Sequence, residues 1–240
     1  RGFPVGAVVA TRDVIYPRLV GSDAGCGARL VVTGLKRISP ERLERRLRQS
    51  FEETIFEDVD PSTLFRAVWT GGGRGLNELE GVPEGLSQLA ALDKEEDGWP
   101  PSAEETDLPA GFESVLGTIG GGNHFAEVSK VTQVFDDRLA EQLKLEKNTI
   151  VVLAHSGSRG LGNTLSSKWG LAALVGTERD KYLQELAGVC RFARANRLVL
   201  AYRLLSSLTA LRSRTLGRSL DVPHNDVRAE SVAGQPAWVH

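Results

Sequence analysis

The first third of the chain alternates short apolar runs with glycine-marked turns. Val5 to Ala10 is a run of small and β-branched residues that predicts a buried strand. Asp13 to Tyr16 predicts a second strand after a turn, and Leu30, Val31 and Val32 belong to a third. The period then changes: Ser39-Pro40 supplies an N-cap residue and a first-turn proline, and Leu43, Leu47 and Phe51 recur every four positions along one face. That pattern predicts an amphipathic helix. Phe125 and Val128 suggest a buried strand, Leu139 and Leu143 a short helix ending near Lys147-Asn148, and Thr149 to Ala154 is the clearest buried strand of all. Two helices follow. Leu198, Val199, Tyr202, Leu205 and Leu208 define the apolar face of the second, with Arg191, Arg194, Arg197, Arg203, Arg212 and Arg214 on or beside its polar face. Asp221 to Asn225 closes a short extended segment.

Strands and helices thus intermingle, which predicts an α/β (α+β) fold in a single domain over residues 1–240. Two stretches interrupt it. Thr70 to Gly75 reads as a loop, mobile or phosphate-cradling, although it lacks the G-K-[ST] ending of a P-loop. The residues near 90–108, with Gly98-Trp99-Pro100-Pro101, read as an acidic surface insertion.

Composition alters this picture little, since 41% hydrophobic and 25% charged residues are ordinary for a globular protein. No apolar run reaches membrane-spanning length and the start lacks a signal-peptide pattern, so cytoplasmic residence is expected. Charge adds more. The net charge of −2 hides ten acids and one base between Glu78 and Asp107, and eleven bases against three acids between Arg159 and Arg218. The Arg-rich, largely helical segment 161–218 could face a polyanion, solvate a helix face, or pair with the acidic stretch.

The sharpest chemical signal is Gly21-Ser22-Asp23-Ala24-Gly25-Cys26-Gly27, which sets a carboxylate and a thiol three residues apart among glycines. Both side chains are metal ligands. Of only four histidines, three lie in glycine- or asparagine-marked motifs: Asn123-His124, His155-Ser156-Gly157 and His224-Asn225. Asp23, Cys26, His124, His155 and His224 are therefore candidate ligands of one metal site, and their types alone suggest zinc. After the strand ending at Ala154, the hydroxyls of Ser156 and Ser158, backbone N–H groups and Arg159 form a candidate anion site.

Six ordered blocks resemble the RtcB family of RNA ligases, and its release-factor-H-coupled branch in particular. Gly2 to Gly6 resembles G-F-P-x-G, Val20 to Leu30 resembles V-G-x-D-x-x-C-G-x-R, and Leu116 to Val128 resembles L-G-T-x-G-x-G-N-H-F-x-E-V. His155 to Gly162 is similar to H-S-G-S-R-G-x-G, Ala195-Asn196-Arg197 to the A-x-x-N-R block, and Asp221 to Asn225 to D-V-x-H-N. The resemblance implies mixed sheets with flanking helices around a central site. There Asp23, Cys26, His124, His155 and His224 would bind two Mn2+ ions, in place of the zinc the ligand types suggest, with the Cys26 thiolate between them. It implies that GTP-derived guanylate is held by Asn123, His124, Phe125, Ala126 and Glu127 and by His224 and Asn225. It also implies joining of an RNA 3′-phosphate or 2′,3′-cyclic phosphate to a 5′-hydroxyl, in RNA repair or tRNA splicing.

The block that carries the family's guanylylated histidine, and the one that precedes G-F-P, have no counterpart between Arg1 and His240. With no methionine in the chain either, truncation at both ends is expected and no nucleophile is assigned. A metal-dependent phosphohydrolase and a non-catalytic RNA-binding module are the competing readings, and no residue points to a particular protein activator.

Overall fold

The computed structural model describes residues 6–93, 98–101, 108–208 and 216–240. Its centre is a four-stranded sheet in the order β3 (Phe125–Lys130), β4 (Ile150–Ser156), β2 (Gly27–Thr33), β5 (Leu216–Pro223), every neighbouring pair antiparallel. A smaller antiparallel sheet joins β1 (Ala10–Thr11), β7 (Gln235–Val239) and β6 (Arg228–Val232). The α/β character is as expected, but both sheets are antiparallel rather than mixed. Direction matters for the site. β2 and β3 begin, and β4 and β5 end, at the same edge, so Gly27 lies opposite both Ser156 and Pro223, and Phe125 opposite His155. Four loops are thereby gathered at one end of the sheet.

Behind the sheet runs α8 (Gly176–Ser207), whose central residues are buried on every side. It packs against the sheet and also against α2 (Pro40–Glu52), α3 (Pro61–Gly71), α4 (Gly73–Asn77), α5 (Glu84–Ala91) and α7 (Leu161–Trp169). Such a helix needs apolar residues all round, and Leu186, Phe192, Leu198, Val199 and Leu205 supply them. Each side chain so buried contributes about 1.5–3 kcal/mol. Arg191, Arg194 and Arg197 are buried with them, so the expected polar face is an interior one at these positions. Arg203 is half-buried, donating to backbone carbonyls of Ser50 and Glu53, while Arg212 and Arg214 lie outside the described residues. The helical part of segment 161–218 stops at Ser207, and β5 starts at Leu216.

Other expectations are corrected too. Of the predicted strand from Val5 to Ala10, only Ala10 is in β1; Val8 is exposed, and Val5 lies outside the described residues with the rest of the opening block except Gly6. Between Asp13 and Tyr16, Ile15 alone pairs, bridging to Leu174. Phe125 to Lys130 is a strand, but it lies at the edge of the sheet with Phe125 exposed. The helix α6 (Asp137–Leu143) stops at Lys144, which takes the left-handed cap expected of Asn148.

Thr70 to Gly75 is the tight join of α3 and α4, not a loop. A Cβ on Gly75 would lie 2.0 Å from the Ala67 carbonyl oxygen, so glycine is what lets the two helices touch. The acidic stretch near 90–108 is anchored rather than purely superficial: Ala90, Asp93 and Trp99 are buried, while residues 94–97 and 102–107 lie outside the described residues. No helix among the described residues is long and apolar enough to cross a membrane.

Candidate metal centre

Each expected ligand sits where a strand of the central sheet starts or stops. Cys26 immediately precedes β2, His124 precedes β3, His155 is the penultimate residue of β4, and His224 follows β5. Asp23 joins them because the 21–27 loop turns back on itself: Cys26 N–H donates to the Asp23 carbonyl. Gly25 makes that turn with φ +78 and lies against α8, where a Cβ would come 2.8 Å from Ala193 Cβ. The loop is tied to the end of β5 by Gly25 N–H donating to the Asn225 carbonyl, the Asn225 amide donating to the Asp23 carbonyl (2.8 Å), and His224 N–H donating to the Cys26 carbonyl.

The side chains form two groups that share one sulfur. Cys26, His155 and His224 make the first, and Asp23, Cys26 and His124 the second, with ligand atoms in each within 4.8 Å of one another. Cys26 Sγ is 3.2 Å from His155 Nε2 and 3.5 Å from His124 Nε2. His155 Nε2 is 3.3 Å from His224 Nε2, and His124 Nε2 is 3.3 Å from Asp23 Oδ2. Donors about 2.0–2.3 Å from one tetrahedral ion lie roughly 3.3–3.8 Å from each other, so these spacings fit a bound cation.

Orientation and charge support the same fit. His155 Nδ1 is 3.1 Å from the Asn123 carbonyl, which only accepts, so Nδ1 carries the proton and Nε2 presents its lone pair to the site. Burial, and then the neighbouring Asp23 carboxylate, push the Cys26 thiol up to about 12. Such a thiol ionises when a cation takes the place of its proton. His224 is held below its ordinary value by burial, then by His155 and Arg197, which favours the neutral, ligating imidazole.

Of the expected guanylate contacts, Asn123, Phe125 and Glu127 are exposed on the open side, and the Phe125 ring meets His155 edge-on at 5.5 Å. The anion-site expectation is corrected in part. Ser156 Oγ is fully buried, donating to the Ile119 carbonyl and accepting from Asn196. Ser158 Oγ donates to the Ala24 carbonyl and accepts from Gly162 N–H. Both hydroxyls are buried and tie loops of the chain together. Arg159 stays half-exposed, its Nε donating to Thr118 Oγ1.

Sequence reasoning missed what lies beneath. Arg197 donates to Asp221 with Nε and Nη2 and to the carbonyls of Gly25 and Ser156 with Nη1. Arg29 bridges Asp221 and Asp93, and Arg194 forks onto Asp93. The available signal was an arginine, Arg29, beside the apolar run of a buried strand, which demands buried partners. Asn196 accepts from Gly117 N–H and donates to the Thr118 carbonyl, fixing the glycine loop that leads to His124.

A thiol shared by two donor groups at the converging ends of an antiparallel sheet makes a candidate metal centre with two sets of donors. The family model described as tRNA-splicing ligase RtcB matches residues 1–240, and the chain belongs to that family. It is 29% identical to RNA-splicing ligase RtcB2 of Escherichia coli, all of the chain aligning with 54% of that protein. It is 30% identical to RNA-splicing ligase RtcB of Mycobacterium tuberculosis, over 96% of the chain and 61% of the relative. With tRNA-splicing ligase RtcB of Aeropyrum pernix it shares 28% identity, over 95% and 55%. The chain thus spans a little over half the length of these curated relatives.

Proposed function

We propose that this chain carries the metal centre of an RNA ligase that joins RNA 3′-phosphate or 2′,3′-cyclic phosphate ends to 5′-hydroxyl ends with GTP and Mn2+. The observation that carries the reading is the convergence of five donors, Asp23, Cys26, His124, His155 and His224, into two groups around one sulfur. Asp23, Cys26 and His124 would hold one ion and Cys26, His155 and His224 the other. Two cations so placed supply Lewis-acid stabilisation to phosphoryl oxygens during transfer. The chain's own residues do the rest. Asn123 to Glu127, with His224 and Asn225, border the open side where guanylate would sit, and Asn123 also fixes the tautomer of His155. Arg159, half-exposed beside the His124 loop, is the group of the former anion site placed to meet an RNA phosphate. A thiol-dependent centre suits a reducing compartment, which makes the cytosol the expected location.

The basic-helix argument for a non-catalytic RNA-binding module loses the support of Arg191, Arg194 and Arg197, which are buried. The test is intact mass after incubation of the full-length gene product with GTP and Mn2+, followed by ligation of RNAs with 3′-phosphate and 5′-hydroxyl ends. A guanylate adduct and a joined product, both lost in Cys26→Ala, are expected. Phosphoester turnover without GTP would replace the ligase reading with that of a hydrolase.

A further inference from the structure

We propose that Arg197 is the positioning residue that sets the spacing of the Cys26, His155 and His224 donors; the inference rests on the metal-centre reading above. Arg197 is fully buried in the middle of α8. Its Nη1 donates to the Gly25 carbonyl at 2.7 Å and the Ser156 carbonyl at 3.0 Å. Nε and Nη2 donate to the two Asp221 oxygens at 2.9 and 2.6 Å. These partners lie one residue before Cys26, one after His155 and three before His224. One planar group therefore grips the ends of β2, β4 and β5, the three strands that carry the three donors.

The room for it is built into the sheet. A Cβ on Gly27 would come 3.0 Å from the guanidinium carbon of Arg197 and 2.7 Å from the Val222 carbonyl, so only glycine admits the fork at this register. Guanidinium holds several donors at fixed angles, whereas an ammonium is a point charge on a flexible stem, so lysine keeps the charge and loses the template. His124 is held differently: its loop is fixed through Asn196. Cys26, shared by both groups, keeps backbone ties of its own, its N–H donating to the Asp23 carbonyl and its carbonyl accepting from His224 N–H, so loss of the fork should act mainly on the group that holds His155 and His224.

The experiment is a Co2+ titration of the purified protein, followed by the thiolate-to-cobalt absorption and by the number of ions bound. Wild type is expected to bind two ions. In Arg197→Lys one ion should weaken by about 10–100-fold, the range for groups that orient metal ligands, while the other is retained. The weakened ion is assigned by double variants. Adding Arg197→Lys to His224→Ala should change nothing further, whereas adding it to His124→Ala should weaken the ion that remains. Arg194→Lys is the control: it removes another buried fork from α8, one whose hydrogen bonds among the described residues go to Asp93, and both affinities should hold. Should Arg197→Lys not fold, Asp221→Asn, which loosens the same grip on β5, is expected to show the same one-ion loss. Unchanged affinities in either variant, or an equal fall in Arg194→Lys, would overturn the positioning role. A wild type that binds no cobalt would instead overturn the metal centre itself.

Discussion

Two clusters of ionisable side chains lie back to back at one end of the central sheet, and they are built on opposite rules. In the inner cluster, Arg29, Arg194 and Arg197 meet Asp93 and Asp221, each carboxylate oxygen lying 2.6–3.3 Å from a guanidinium nitrogen. Signs alternate and all five residues are buried. In the outer cluster, groups of similar kind face one another. The single lone pair of His155 Nε2 confronts both Cys26 Sγ and His224 Nε2, and it cannot serve both. A satisfied network holds structure, while donors crowded toward a common point suit a cation.

The largest effect expected from this contrast is on metal. Cys26 belongs to both groups, so Cys26→Ala should abolish high-affinity binding of both ions and with it RNA joining. In metal-free protein, where no bound ion adds to the stability of the fold, the unfolding free energy should move by about 1 kcal/mol or less. Metal content after dialysis, set beside a urea unfolding curve, makes the comparison. A variant that still held two ions would remove the shared-sulfur arrangement.

Arg29→Ala should do the reverse. It leaves Asp93 and Asp221 each one cation short in a buried setting, at a cost of about 3–5 kcal/mol. The fraction that folds should still bind two ions, because Arg197 keeps both of its bonds to Asp221 and its bonds to the Gly25 and Ser156 carbonyls. Stability unchanged in urea would show that the inner cluster is not the structural element its geometry implies.

Acid should separate the clusters as well. Burial pushes the Asp93 and Asp221 carboxyls up, but the guanidiniums, Arg29 first for Asp93 and Arg197 first for Asp221, more than offset it and hold both below the usual range. A carboxyl depressed in the folded state adds stability that is fully present above its unfolded value, about 3.9, and lost as pH falls through the folded one. The urea midpoint should therefore fall on acidification below about pH 4 from this source, and Asp93→Asn should flatten that limb. An acid limb identical in the variant would exclude Asp93 as a contributor.

What could be read from the sequence follows the same division. The outer cluster was legible because its residues are chemically rare: three of four histidines and one of two cysteines sit in glycine- or asparagine-marked motifs. β4 was legible from its unbroken apolar run. The inner cluster was not, because an arginine's partner lies far along the chain; Arg197 reaches Gly25 across 172 positions, and the apolar period assigned it to a solvent face. Thr70 to Gly75 failed for a related reason, since glycine needed for helix contact has the same local signature as glycine needed for a loop. Ser156 and Ser158 have the composition of an anion site, but their hydroxyls are spent on carbonyls 37 and 134 residues away.

The smallest expected effect tests the boundary between the clusters. Gly157 lies beside the 21–27 loop, and a Cβ there would come 2.6 Å from Asp23 Oδ1 and 3.6 Å from Cys26 Cα. The close atom ends a side chain that is 46% exposed, so in Gly157→Ala the carboxylate can swing aside without disturbing the backbone. Stability should hold to about 0.5 kcal/mol. The Asp23, Cys26, His124 ion should weaken, and the Cys26, His155, His224 ion, which uses no atom of Asp23, should not. Co2+ titration resolves the two. Equal weakening of both would mean that the added methyl displaces Cys26 as well, and that the two donor groups respond as one unit rather than as neighbours joined at a single sulfur.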